Sequence, residues 1–287
     1  MPSGMILAAI NWNIDPEIVS VFGFSLRYYS LFFVGGLMLC IYVLHGIYQR
    51  DYLPEEDLEK LSVYALLGIV IGARLGHCLF YEPSYYLANP LEMILPIAFL
   101  PDGGIQFIGY RGLASHGGAL GLLIGVYLYS RKTQHSLLKV FDLIGIVAAL
   151  ACGFIRIGNF MNSEIIGLPT GTDWGVIFAR IDDLPRHPAQ LYEAFAYLLI
   201  FLVIIALYKA RKYRLAGGFY FGLVLVLCSS ARFFIEFVKE NQVSFEDQMA
   251  LNMGQLLSLP YILLGVGLIV YSFKKGEDLT TDQSYSH

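Results

Sequence analysis

Charged residues are scarce in this chain. They make up 15% of its 287 residues, and hydrophobic residues make up 56%, whereas soluble proteins average about 25% charged and about 45–50% apolar residues. A soluble domain of this length cannot bury such an apolar excess, so a soluble enzyme is excluded and a membrane protein is expected. The net charge of −4 offers no basic excess, so no nucleic-acid partner is expected either.

The sequence also lacks the common motifs of disulfide, metal and nucleotide chemistry. Its 4 cysteines lie in apolar runs without a CxxC spacing, and it contains no P-loop, HExxH or GxSxG motif and no intramembrane aspartate pair. The cysteines are therefore expected to be buried thiols: Cys40, Cys78, Cys152 and Cys228. No metal site and no cofactor are expected.

Seven apolar runs have about the 20 residues that a helix needs to cross a bilayer. They cover residues 29–47, 61–81, 112–129, 140–160, 191–208, 217–236 and 256–273. We therefore expect an all-α membrane protein with seven transmembrane helices. Residues 1–275 would form a single polytopic membrane domain, and residues 276–287 a polar cytoplasmic tail.

Lys and Arg flank these runs unevenly, and cytoplasmic loops are the ones enriched in both. The richer side carries Arg50, Lys60, Arg131, Lys132, Lys139, Lys209, Arg211, Lys212, Arg214, Lys274 and Lys275. This places the N-terminus outside and the C-terminus in the cytoplasm. Residues 82–111 and 159–190 then form two long outer loops. The first contains an apolar piece that either lies along the membrane interface or is a partly buried loop.

Polar side chains within the predicted spans gather in the outer half of the membrane. They are Tyr29, Arg74, His116, Arg156, Asn159, Gln190, Tyr192, Glu193, Arg232 and Glu236. An arginine in hydrocarbon needs partners or water, and its planar donor fork suits phosphate oxygens. A pocket for an anionic lipid headgroup is therefore predicted, and ion pairs between helices are the structural alternative.

A longer motif indicates which kind of membrane protein contains this predicted pocket. Residues 156–167 read RIGNFMNSEIIG and closely resemble the signature of the prolipoprotein diacylglyceryl transferases, bacterial membrane enzymes that lipidate lipoprotein precursors. The resemblance continues, in the family's order, through RYY at 27–29, GARLG at 72–76, HGG at 116–118, HPAQLYE at 187–193, RFFIE at 232–236 and MGQLLS at 253–258. It covers nearly the whole chain. Ile155 departs from it, because the family usually has glycine there.

The resemblance implies an enzyme of the bacterial cytoplasmic membrane whose active site faces the outer leaflet. Such an enzyme transfers the diacylglyceryl group of phosphatidylglycerol to the lipobox cysteine of a prolipoprotein signal peptide. A thioether forms and glycerol phosphate leaves, which is the first step of lipoprotein maturation. The expected partners are these two substrates and the surrounding membrane lipids.

This chemistry requires that the lipid phosphate be held, that the thiol lose its proton and that charge on the leaving phosphate be neutralised. Arg156 and Arg232 are expected to bind the phosphate. His116 is the candidate base for the thiol, with Tyr29 donating a hydrogen bond or assisting proton transfer. Alternatively the phosphate itself accepts the proton and His116 only shapes the site.

The remaining candidates surround these groups. Asn159 and Glu164 are expected to orient headgroup hydroxyls or an arginine, and Glu236 to hold Arg232. Arg74 either contributes to the substrate site or pairs with an outer carboxylate such as Glu193 to hold helices together. Glycines of the second outer loop are expected to let that loop act as a lid over the pocket: Gly167, Gly171 and Gly175.

Two functions without chemistry remain as alternatives. A transporter or flippase would bind a lipid headgroup with the same arginines, but the inner halves of the spans are almost wholly apolar and offer no polar path. A non-catalytic lipid-binding or assembly protein would also fit the pocket.

Overall fold

The computed structural model describes residues 9–21, 24–95, 97–99, 104–107, 112–210, 216–241, 246 and 249–284. Its helices are α1 (Tyr28–Arg50), α2 (Glu55–Phe80), α3 (Pro83–Ala88), α4 (Pro90–Ile94), α5 (Ser115–Thr133), α6 (Leu137–Met161), α7 (Ala189–Ala210), α8 (Phe219–Ile235) and α9 (Met253–Ser284). The chain is mostly helical, as predicted. Each of the seven predicted apolar runs coincides with a long helix.

Six helices of the described chain are long and apolar enough to cross a membrane: α1, α2, α6, α7, α8 with the helical turn that extends it to Val238, and α9 as far as Gly276. The helix α5 is not among them. Its 19 residues begin with Ser115 and His116, include four glycines and carry Arg131 and Lys132 in the last turn. Only a short apolar stretch therefore separates its polar ends.

The chain divides into two compact units, one formed by Met1–Val43 with Phe141–His287 and the other by Leu44–Val140. The first contains α6 to α9 and most of α1, and the second contains α2 to α5. The single membrane domain expected over residues 1–275 stays a prediction.

The structure also contains short strands outside the spans, although an all-α chain was expected. They are β1 (Ile10–Trp12), β2 (Glu17–Val21), β3 (Phe24–Arg27), β4 (Ile97–Phe99), β5 (Ile105–Phe107), β6 (Val176–Phe178) and β7 (Pro185–Arg186). The strands β2 and β3 form one hairpin and β4 and β5 another. The third sheet has the order β1-β6-β7, with β1 parallel and β7 antiparallel to β6. Backbone bridges from Pro169 to Arg186 and from Gly167 to Lys239 continue its pairing.

A small apolar core joins this sheet to the end of α6. It consists of Phe160, Ile166, Val176 and Phe178. The ring of Trp12 in β1 packs on Phe160 with 4.4 Å between ring centroids. Burial of these side chains therefore fixes the signature segment against the sheet.

In the other unit, α2 and α5 pack through glycines. Gly68, Gly72 and Gly76 stand at every fourth position of α2 and face Gly117 and Gly121 of α5. A Cβ on Gly76 would lie 2.7 Å from the Cα of Gly117, and one on Gly72 would lie 2.7 Å from the Cα of Gly121. Small residues with this spacing let two membrane helices approach to backbone contact.

Gly121→Ala is expected to destabilise this packing by about 1–3 kcal/mol, because the added methyl overlaps the backbone of α2. Gly46→Ala is the matched control, since a Cβ there meets nothing within 4 Å. Thermal unfolding of both variants in lipid nanodiscs measures the difference. Equal melting temperatures for the two variants would show that the contact between the helices is not this close.

Candidate active site

Arg156 is the centre of a polar network in the first unit. It lies near the end of α6, and its Nε is 2.8 Å from Oε2 of Glu193 in α7. Its Nη1 donates a hydrogen bond of 3.1 Å to Oδ1 of Asn159. Glu193 is 0% exposed, so its charge requires a buried partner. The two contacts hold the guanidinium of Arg156 in one orientation.

Asn159 connects this arginine to the turn after α6. Its amide donates to Oε2 of Glu164 at 3.2 Å, and the amide of Asn162 donates to the other oxygen of Glu164 at 3.1 Å. Asn159 therefore bridges Arg156 and Glu164. Glu164 is an exposed residue, and a carboxylate oxygen that accepts one hydrogen bond has capacity for another. The roles expected of Asn159 and Glu164 towards a headgroup stay predictions.

The end of α8 adds a second group of charges. The ammonium of Lys239 lies 2.8 Å from Oε2 of Glu236 and 3.7 Å from Oε1 of Glu193. Glu236 in turn lies 3.9 Å from the Nε of Arg232. One continuous series of ionic contacts therefore runs from Arg232 through Lys239 to Arg156. Lys239 is not among the candidate residues predicted from the sequence.

The two arginines of the site, Arg156 and Arg232, differ in exposure and in their distance from the nearest carboxylate. The side chain of Arg232 is 39% exposed and its contact with Glu236 is long, at 3.9 Å. The Arg156 side chain is 16% exposed and contacts Glu193 at 2.8 Å. Arg232 is therefore better placed to exchange its carboxylate contact for an anionic ligand, and Arg156 is better placed as a fixed charge.

Tyr29 lies against the signature helix. A Cβ added to Gly158 would be 2.9 Å from Cδ2 of the Tyr29 ring. Gly158 stands between Arg156 and Asn159, so the aromatic ring covers this stretch of α6. The structure thus brings Tyr29 to the same part of the unit as the arginine network.

Gly167 is a buried residue at which three segments meet. Its N–H donates to the carbonyl of His187 at 3.1 Å, and the next N–H, of Leu168, donates to the carbonyl of Val238 at 2.9 Å. A Cβ on Gly167 would lie 2.7 Å from the Cβ of His187. Gly171 has φ +66° and open space where a Cβ would lie, a conformation that glycine adopts readily. The expectation that this loop acts as a lid stays a prediction.

Arg186 also contacts the backbone at Gly167. It is not among the candidate residues predicted from the sequence. It is buried and donates to the carbonyl of Gly167 at 3.0 Å. It also donates to Asp182 at 2.6 Å and lies 3.3 Å from a carboxylate oxygen of Glu240. Hydrogen bonding from Arg186 holds the pKa of Asp182 below its usual range.

Arg74 and His116 belong to the second unit. Arg74 is buried, and its Nε and Nη2 donate to the carbonyls of Met93 and Glu92. Its guanidinium lies 4.8 Å from the ring centroid of Tyr86. These contacts tie α4 to α2 and favour the structural alternative for Arg74. His116 is exposed in the first turn of α5.

Similarity to known proteins identifies the family to which this chain belongs. The sequence model described as prolipoprotein diacylglyceryl transferase matches residues 16–271. The chain belongs to this family. It is 51% identical over 270 residues to the phosphatidylglycerol–prolipoprotein diacylglyceryl transferase of Bacteroides fragilis, covering 94% of this chain and 98% of that protein. The enzyme of the same name from Chloroherpeton thalassium is 42% identical over 93% of this chain and 96% of its own length. The resemblance drawn from the signature is confirmed.

Glu193→Gln is expected to destabilise the fold by about 3–5 kcal/mol, because it leaves Arg156 and Lys239 buried without their shared carboxylate. Glu17→Gln is the control. It removes an exposed ion pair with Arg27, which is expected to contribute about 0–1 kcal/mol. Denaturant titration in mild detergent compares the two. A smaller loss for Glu193→Gln than for Glu17→Gln would refute the importance of the buried network.

The Asp182 and Arg186 pair predicts a pH dependence. Because the pKa of Asp182 is lowered in the fold, the pair stabilises the fold fully above the ordinary aspartate value of about 3.9. This stabilisation is lost as the pH falls through the lowered value. Asp182→Asn is therefore expected to speed amide hydrogen exchange of residues 182–187 at pH 7, and the difference from the parent protein is expected to shrink towards pH 3. A difference that grows on acidification would contradict this assignment.

Proposed function

We propose that this protein transfers the diacylglyceryl group of phosphatidylglycerol to the thiol of the lipobox cysteine in prolipoproteins. The cysteine sulfur forms a C–S bond with a glyceryl carbon, and the C–O bond between that carbon and the phosphate breaks. Glycerol phosphate leaves with the bonding electrons, and the thiol proton passes to a base. The observation that carries the proposal is the ionic network of Arg156, Glu193, Lys239, Glu236 and Arg232. All of these residues except Lys239 lie in segments that resemble the family.

Arg232 and Arg156 would interact with the lipid phosphate in different ways. Arg232 is the partly exposed cation, so it binds the phosphate and follows its charge as the C–O bond breaks. Arg156 is fixed by Glu193 and Asn159 and contributes permanent positive charge close to the headgroup. Glu236 and Lys239 hold Arg232 and Glu193 in place. The carboxylate of Glu164, oriented by two amides, would accept a hydrogen bond from a headgroup hydroxyl.

We assign His116 as the base that accepts the proton of the thiol. An imidazole titrates close to neutral pH and suits general-base catalysis, and this side chain is exposed rather than enclosed in its helix pair. Tyr29 would donate a hydrogen bond in the same step. If the lipid phosphate accepts the proton, His116 only shapes the site.

The topology proposed for this reaction has seven spans, with the N-terminus outside and the polar C-terminal tail in the cytoplasm. The glycine contacts with α2 support α5 as the seventh span, because close helix packing compensates for its short apolar stretch. The protein would reside in the bacterial cytoplasmic membrane with its site open to the outer leaflet. Phosphatidylglycerol and the signal peptide would both arrive by lateral diffusion.

Arg232→Lys is expected to lower turnover by about 100-fold, because a point charge cannot replace the planar donor fork at a leaving phosphate. The assay incubates purified protein with phosphatidylglycerol and a lipobox peptide and measures the diacylglyceryl adduct on cysteine by mass spectrometry. Arg180→Lys, at an exposed arginine of the outer segment, is the control and is expected to keep full activity.

Two results would count against the proposal. No adduct from folded parent protein would leave a headgroup-binding transporter or flippase as the better explanation. Near-normal turnover of Arg232→Lys alongside an active parent would remove Arg232 from the phosphate.

A further inference from the structure

Three polar atoms beside residues 162–165, the turn that follows α6 and is called the signature turn here, are enclosed without a hydrogen-bond partner among the described residues. They are Oδ1 of Asn162, Oγ of Ser163 and Oε1 of Gln190. Ser163 is 5% exposed and Gln190 is 0% exposed. The other end of the Gln190 amide donates to the carbonyl of Glu164 at 2.6 Å, which fixes this side chain against the turn. Buried polar atoms are nearly always paired, so several unpaired oxygens at one turn point to a ligand that donates hydrogen bonds.

The backbone of this turn is strained. Ser163 has φ +57° and Ile165 has φ +56°, a left-handed conformation that is unfavourable for serine and rare for a β-branched residue. Glycine would adopt it freely. Since the unpaired atoms are enclosed in this conformation, a ligand reaches them only if the turn moves. The strain at both residues lowers the cost of that movement.

The neighbouring contacts indicate which ligand would fit. Gln190 Oε1 accepts hydrogen bonds, Ser163 Oγ accepts or donates one, and the exposed carboxylate of Glu164 accepts more. Asn159 links this carboxylate to Arg156. A ligand with a phosphate at the arginines and hydroxyl groups a few bonds away would satisfy all of these groups.

We propose that Ser163 and Gln190 recognise the hydroxyl groups of the headgroup glycerol and thereby select phosphatidylglycerol among anionic phospholipids. This assignment rests on the proposed transfer reaction and adds its lipid specificity. The free hydroxyls of the headgroup donate to Gln190 and Ser163 once the turn has moved, while the phosphate stays with the arginines. The same hydroxyl groups persist in the glycerol phosphate that leaves.

The test compares two lipids of equal phosphate charge, phosphatidylglycerol and phosphatidylethanol, the second of which has no headgroup hydroxyl. The parent protein is expected to favour phosphatidylglycerol in kcat/KM. Ser163→Gly removes the hydroxyl and also relieves the backbone strain, so folding is preserved. It is expected to reduce the preference about tenfold by slowing transfer from phosphatidylglycerol alone. Gln190→Met is expected to act in the same direction.

Gln134→Gly is the matched control, because Gln134 has φ +58° in the turn between α5 and α6. It relieves similar strain and is expected to leave the preference unchanged. Inhibition by added glycerol phosphate provides a second readout, and Ser163→Gly is expected to weaken it if the site still holds the product.

The outcomes separate the two proposals. No transfer from either lipid by the parent protein would overturn the reaction itself. Transfer by the parent with an undiminished lipid preference in both Ser163→Gly and Gln190→Met would overturn only the hydroxyl recognition. A preference lost equally in Gln134→Gly would trace the effect to backbone strain, and this would also overturn the assignment.

Discussion

The neutralisation of one buried carboxylate is the constraint on which the site depends. Glu193 lies in an apolar helix, and its charge would be prohibitively costly there without cations. Arg156 approaches it from α6 at 2.8 Å, and Lys239 approaches from the segment after α8 at 3.7 Å. Three segments that are distant in sequence must therefore meet at one point. The turn after α6 and the sheet β1-β6-β7 are then held around that point by Gly167 and Arg186.

This constraint also explains why the two arginines are not equivalent. Arg156 is needed to neutralise Glu193, so its orientation is set before any substrate binds. Arg232 has only a 3.9 Å contact with Glu236, and Glu236 has a closer partner in Lys239 at 2.8 Å. In the proposed reaction, Arg156 would supply preorganised positive charge, and Arg232 would be the arginine able to contact the ligand directly.

The apolar runs predicted the long helices because burial in lipid dictates their length and composition. The signature predicted that Arg156, Asn159 and Glu164 act together, since they lie within nine residues of one another. Lys239 was not predicted, although it stands three residues after Glu236, directly after the helical turn that ends at Val238. Its partner Glu193 is on another helix, and only tertiary packing brings them together. The close packing of Gly167 was not predicted, because the sequence does not distinguish a glycine needed for packing from one needed for a turn.

Charge balance gives a reason for the exposure of Arg232. The carboxylates of Glu193, Glu236 and Glu164 balance the charges of Arg156, Arg232 and Lys239, so the network is neutral before a lipid arrives. In the proposed reaction, a phosphodiester would add one negative charge, and the phosphate monoester that leaves would add up to two. Because Lys239 lies 2.8 Å from Glu236, Arg232 would contact the phosphate without leaving a buried carboxylate unpaired. Lys239, which was not predicted from the sequence, would therefore make the exposed arginine available.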